Sequence, residues 1–250
     1  VGNDSAGRDS RQNLWYENGV QRNDRRAANE AAGRREPLMS VIVAYGDSNT
    51  WGYDPAAGAR FPADVRWTGV MRQALGAGFT VIEEGLNGRT TVRDDPIEPH
   101  RSGLAYLPAC LMSHAPLDLL IISLGCNDLK RRFSLPASEI ALGAERLVLT
   151  AKSFPVGPGG AAPDIILTAP PPVVELTAFA EMFEGAREKS LELGARYRAV
   201  AELHGVGFVD AGAHIHCSPL DGIHFEADQH AKLGRVMAAA ARARLAERAA

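Results

Sequence analysis

Short, uniformly apolar runs separated by helical periodicity set the limits on what this chain can fold into. The runs fall at residues 41–44, 79–82, 119–124, 165–167 and 207–209. Segments this brief and this apolar suit strands covered on both faces, the environment of a parallel sheet. Between them lie helical patterns at 67–75, 104–114, 137–152, 178–203 and from 229 to the end. The fourth carries Phe179, Phe183, Ala186, Leu193, Tyr197 and Val200 at spacings of four and three, interrupted at Ser190, and predicts one apolar stripe facing a sheet. Alternation of this kind predicts a doubly wound α/β fold: a three-layer α/β/α sandwich around a five-stranded parallel sheet in the order 2-1-3-4-5.

That order makes the first three strands neighbours, and polar segments follow each of them. Tyr45-Gly46-Asp47-Ser48-Asn49-Thr50-Trp51-Gly52 follows the first run, Asn87-Gly88-Arg89 the second, and Gly125-Cys126-Asn127-Asp128 the third. All three would open into one crevice at the carboxyl ends of the strands, where open α/β sheets bind ligands. A serine displayed there is a candidate nucleophile, and its hydroxyl needs a base at neutral pH. His224 is the candidate base. Asp221, three residues earlier in a glycine-containing loop, is placed to hold its Nδ1 and leave Nε2 for Ser48. Acyl transfer also needs donors for the developing oxyanion. The backbone N–H groups of Ser48 and Gly88 and the side-chain amide of Asn127 are the candidates. Asp47 reads as a loop brace and Asp128 as a structural cap. Trp51, with Val174 and Phe179 beyond the Pro170-Pro171-Pro172 turn, would line a substrate pocket.

Composition narrows the classes further. The chain has 250 residues, a formal net charge of −3 and 46% hydrophobic residues, the profile of a globular chain with a full core. The negative balance argues against nucleic acid or an anionic membrane as partner, and no apolar run reaches the roughly 20 residues that span a bilayer. Residues 1–38 mix Arg, Asp, Asn, Glu and Gly with few large apolar residues, Leu14, Trp15 and Val20 among them, and predict a disordered N-terminal extension, with a short helix at 27–32 as the alternative. Met39 stands where a native start would be. Cys110, Cys126 and Cys217 form no paired framework, and with no hydrophobic leader they predict a cytoplasmic location.

Gly46-Asp47-Ser48, the block around Gly88, Gly125-x-Asn127-Asp128 and Asp221-x-x-His224 together resemble the four blocks of the SGNH (GDSL-type) hydrolase superfamily. The likeness runs from about residue 41 to 225, within a hydrolase domain placed at 39–250. Arg60-Phe61-Pro62, Val65-Arg66-Trp67-Thr68-Gly69-Val70, Glu83-Glu84-Gly85-Leu86, Tyr106-Leu107-Pro108 and Phe183-Glu184-Gly185 resemble its bacterial arylesterase and acyltransferase branch. The resemblance implies short-chain acyl and aryl esters as substrates, acyl transfer or perhydrolysis beside hydrolysis, no cofactor, and homo-oligomers. Asn49 stands where the family label has leucine, a position that is not catalytic there.

Competing readings use the same residues. A carbohydrate or small-metabolite O-deacetylase would need the same nucleophile, and a non-catalytic flavodoxin-like binding module would not need to keep it. His214-Ile215-His216-Cys217 has metal-ligand residue types but sits in a Gly/Pro-marked loop without a further ligand, so no metal is expected. His100, His114, His204 and His230 read as surface or helix-end residues. Gly157-Pro158-Gly159-Gly160 lacks the Gly-Lys-Ser/Thr that a phosphate loop requires and reads as a linker.

Overall fold

The computed structural model describes residues 39–249, with side chains to 247. Five parallel strands form the central sheet: β1 (Ser40–Gly46), β4 (Phe79–Gly85), β5 (Leu119–Ser123), β6 (Asp164–Ala169) and β7 (Gly207–Asp210). Their spatial order is β4-β1-β5-β6-β7, which is the expected 2-1-3-4-5 arrangement. A two-strand antiparallel hairpin, β2 (Tyr53–Asp54) with β3 (Ala59–Arg60), was not anticipated, since residues 53–60 carry no alternating apolar pattern.

Six α-helices lie among the described residues: α1 (Ser48–Trp51), α2 (Trp67–Leu75), α3 (Gly103–Ser113), α4 (Ala137–Lys152), α5 (Ala186–His204) and α6 (Ala227–Ala249). Alternate residues of β1 feed two separate cores, as the pleat requires. Val43 and Tyr45 join Leu120, Ile122 and Leu167 under α3, α4 and α5. Ile42 and Ala44 join Leu119, Ile121 and Ile166 under α2 and α6. The sheet is therefore sandwiched, and its strand ends are left as the open crevice.

One expected helix is shorter than its pattern. Residues 178–185 form turns, and α5 begins at Ala186 after Gly185, whose φ of +74° lies in the left-handed region. Phe179 and Phe183 are therefore not on the helix stripe. They meet edge to face, with ring centroids 6.5 Å apart, in a segment over the carboxyl end of the sheet. Ser190, the gap in the stripe, is buried: its Oγ accepts from the Val173 N–H at 2.9 Å and donates to the Arg187 carbonyl at 2.7 Å. The expectations for residues 1–38 lie outside the described residues. No helix among the described residues is long and apolar enough to cross a membrane.

Candidate active site

Local chemistry at the end of β1 explains how Ser48 comes to face the crevice. Asp47 caps α1, its Oδ1 accepting from the Asn49 N–H at 3.0 Å. The helix lasts four residues, because Gly52 takes a left-handed conformation and its N–H closes onto the Ser48 carbonyl at 2.8 Å. So short a helix must lie directly on the strand ends. Gly46 and Gly85 are partners in the β1–β4 register and make that approach possible. A Cβ on Gly85 would stand 2.2 Å from the Trp51 nitrogen, and one on Gly46 2.0 Å from Thr50 Oγ1.

The loop between β7 and α6 brings in His224, the expected base. Asp221 Oδ1 accepts from the N–H groups of Ile223 at 3.0 Å and His224 at 2.9 Å, folding the loop around its own carboxylate. Asp221 Oδ2 lies 2.7 Å from His224 Nδ1, and His224 Nε2 lies 2.9 Å from Ser48 Oγ. All three side chains are buried. Burial raises the Asp221 carboxyl, but the bonds from His224 and Ile223 outweigh it and hold the group below the usual carboxylate range. Asp221 is thereby kept ionised against the imidazole.

Asn49 turns out to matter to this assembly. Its Nδ2 donates to the Ile223 carbonyl at 3.1 Å, tying α1 to the histidine loop across 174 positions of sequence. Sequence reasoning treated Asn49 as a neutral departure, because a contact so distant in the chain leaves no local signal. Tyr53 was missed for the same reason; its ring centroid lies 4.2 Å from that of His224.

Asn127 and Gly88 are brought together from β5 and β4. Asn127 Nδ2 donates to the Arg89 carbonyl at 3.1 Å, one residue beyond Gly88, and lies 3.5 Å from Asp47 Oδ2. Gly88 itself has a φ of +79°. Arg89 anchors the loop from beneath: its Nη1 donates to the Gly46 carbonyl at 2.8 Å and to the Glu84 carbonyl. Its guanidinium lies 4.3 Å from the Tyr45 ring centroid. Asp128 is structural, though not as a helix cap. Its carboxylate takes the Thr91 N–H at 2.9 and 3.1 Å and the Thr91 hydroxyl at 2.6 Å, so adjacent residues of one turn grip residues 89 and 91. Burial pushes Asp47 and Asp128 each up to about 6, against the hydrogen bonds that would lower them.

The pocket residues are placed unequally. Phe179 meets the His224 ring edge-on at 6.0 Å. Val174 supports the loop through its N–H, which donates to the Gly222 carbonyl at 3.1 Å. Trp51 is half-buried beneath the Arg60 guanidinium, which lies 5.1 Å from its ring centroid. His214 and His216 are exposed, and His216 Nδ1 lies 3.1 Å from the Cys217 carbonyl. Metal-type side chains do gather elsewhere: donor atoms of Glu84, Cys110 and His114 lie within 4.8 Å of one another, with His114 Nε2 2.6 Å from Glu84 Oε1. His230 corrects the surface reading. It is fully buried, its Nδ1 accepts from the Trp67 N–H at 3.3 Å, and burial lowers it to about 4, which keeps it neutral. His114 and His204 stand at helix ends as expected, half-buried and paired, His204 with Glu145 at 2.6 Å.

A buried Asp–His–Ser line at the carboxyl ends of a doubly wound parallel sheet is the arrangement of a hydrolase of the serine type. The chain belongs to the GDSL-like lipase/acylhydrolase family, whose sequence model matches residues 44–232. Among solved structures, the M. smegmatis aryl esterase is 43% identical, with 82% of this chain and 100% of that chain aligned and a TM-score of 0.79. A carbohydrate acetylesterase from Sinorhizobium meliloti is 40% identical, covering 82% of this chain and 99% of that chain, also with a TM-score of 0.79. No curated protein matches the sequence.

Proposed function

We propose that this chain is a serine esterase for short-chain acyl and aryl esters, working through an acyl-enzyme on Ser48. The observation that carries the reading is the continuous line from Asp221 through His224 to Ser48, at 2.7 and 2.9 Å. His224 Nε2 takes the Ser48 proton as Oγ attacks the ester carbonyl, and returns it to the departing alcohol. The oxyanion forms against the Ser48 and Gly88 N–H groups and the Asn127 amide. Water, deprotonated by the same imidazole, then releases the acid. An alcohol or peroxide that reaches the acyl-enzyme ahead of water turns the same chemistry into acyl transfer or perhydrolysis.

The likeness to a carbohydrate acetylesterase favours a second reading, removal of acetyl groups from sugars by the same residues. Self-association belongs to the proposal as well: Leu142 and Leu149 on α4 leave large apolar side chains exposed. A cytoplasmic setting is supported by three cysteines that are buried and unpaired. The test is hydrolysis of p-nitrophenyl acetate by the purified protein and by Ser48→Ala, with fluorophosphonate labelling in parallel. Activity and labelling should both vanish in the variant while the circular dichroism spectrum is kept. Label persisting on another serine would overturn the assignment.

A further inference from the structure

Ser48 and His224 meet across 176 positions of sequence, with Oγ and Nε2 2.9 Å apart. In the reaction proposed above, that bond exists for only half of the cycle. Once Oγ carries an acyl group it has no proton to give, and the imidazole must offer Nε2 to a water instead. A different contact has to keep the base over the acylated serine.

Among the described residues, two hydrogen bonds join α1 to the loop that carries His224. One is the Ser48–His224 contact itself. The other runs from Asn49 Nδ2 to the Ile223 carbonyl at 3.1 Å. Asn49 follows Ser48 on its four-residue helix, and Ile223 precedes His224. The link therefore acts one residue away from each reacting side chain, and acylation of Oγ leaves it intact.

The other bonds of the loop hold it in shape or tie it elsewhere. Asp221 Oδ1 takes the Ile223 and His224 N–H groups, and the His224 carbonyl takes the Ser218 N–H at 2.7 Å. The Val174 N–H and the Thr177 hydroxyl donate to the Gly222 and Leu220 carbonyls at 3.1 and 2.6 Å, from the segment after β6. Cys217, a buried thiol of the same loop, has its Sγ 3.6 Å from the Ile223 carbonyl. None of these reaches α1. Asn49 is 7% exposed, and its Oδ1 finds no hydrogen-bond partner within the protein. An orphaned buried oxygen is destabilising, so the amide's return lies in the bond that its nitrogen makes.

Building on the esterase reading, we propose that Asn49 is a positioning residue for deacylation, holding His224 within reach of the acylated Ser48 while the Ser48–His224 bond is absent. In that half of the cycle the oxygen of water attacks the acyl carbonyl and its proton passes to His224 Nε2. The bond from the acyl carbon to Oγ then breaks, Oγ recovers the proton from the imidazole, and the acid leaves. Acylation depends on Asn49 less, because the direct Ser48–His224 bond is then in place.

Stopped-flow hydrolysis of p-nitrophenyl acetate separates the two halves. The burst of p-nitrophenol reports acylation, the steady rate after it reports deacylation, and intact-protein mass spectrometry after acid quenching measures the acetyl-enzyme. In Asn49→Ala, deacylation should slow about tenfold or more, as a base shifted by up to ~1 Å requires. kcat and KM should fall together, kcat/KM should stay within about threefold of the parent, and acetyl-Ser48 should accumulate. Asn49→Leu restores the side-chain bulk without the donor, and should behave like the alanine variant. Recovery of the deacylation rate by leucine would assign the effect to packing and overturn the proposal. So would an unchanged deacylation rate, or an equal fall in kcat and kcat/KM with no rise in acetyl-enzyme. A parent protein that forms no acetyl-Ser48 would instead remove the esterase reading, and the role of Asn49 with it.

Discussion

The resting contacts of Asn127 and its proposed part in the oxyanion hole pull its amide in different directions. At rest Nδ2 gives a hydrogen to the Arg89 carbonyl and sits at the limit of contact with Asp47. The second N–H is therefore held weakly and can turn to an oxyanion as charge develops. Asn127→Ala should lower kcat by about 10²–10³ with KM little changed, since the bond strengthens only in the transition state. Steady-state kinetics on p-nitrophenyl butyrate check this, and an effect confined to KM would reassign the residue to substrate binding. Its neighbour Asp128 makes a prediction about pH. The folded-state carboxyl is raised from 3.8 to about 6, so its contribution to stability is fully present below about pH 4 and is lost as pH rises through 6. Asp128→Asn keeps an oxygen for Thr91 but cannot ionise. Its stability relative to the parent should therefore improve between pH 4 and 7, by roughly 3 kcal/mol at about 1.4 kcal/mol per unit. Urea titrations at pH 4, 5, 6 and 7 measure it, and parallel curves would refute the ionisation account.

Among the elements, α1 is the one whose position is set by what its neighbours lack. Its four residues rest on Gly46 and Gly85, and it carries the proposed nucleophile. Gly85→Ala drives a methyl against the backbone of Thr50 and Trp51, and the helix has no length over which to spread the strain. We expect a stability loss of about 1–3 kcal/mol. We also expect a fall in kcat on the order of 10²-fold, because a displacement near 1 Å misaligns Ser48 from His224. Activity measured well below the melting temperature separates the two effects, and an unchanged kcat would show that α1 tolerates the shift. The elements also show where the sequence was readable. Runs such as 41–44 and 119–124 declared β1 and β5 because strands buried on both faces leave no polar position to blur them. The three site blocks were visible because each follows such a run. The turns at 178–185 were not legible, since their phenylalanines keep helical spacing while Gly185 ends it. Asn49, Tyr53 and the burial of His230 were hidden too, because each depends on a partner more than 160 positions away.

At the scale of the molecule, short pieces flank the crevice among the described residues. Tyr53 from the hairpin and Phe179 from the 178–185 turns stand against His224, their ring centroids 4.2 and 6.0 Å from its own. Catalytic efficiency should peak at acetyl to butyryl esters and fall steeply beyond about six carbons. Methylenes that find no pocket forgo ~0.8 kcal/mol each of burial. A p-nitrophenyl ester series from two to sixteen carbons, run beside size-exclusion mass, tests the pocket and the assembly together. A maximum at long chains would count against the first, and a monomeric mass against the second.

The three thiols bear on how long such a protein would last in use. Cys110, Cys126 and Cys217 are buried, and burial pushes each thiol upward, Cys110 to about 12. Almost none is thiolate at neutral pH, and the thiolate is the form that peroxides oxidise. Met112, 55% exposed on α3, is the more accessible sulfur. A folded sample should thus be silent towards a thiol-titrating reagent until denaturant is added. Mass spectrometry after peroxide treatment should find sulfoxide at Met112 before any change at cysteine, with esterase activity retained. A chain able to pass acyl groups to peroxide would then survive the peracid it makes.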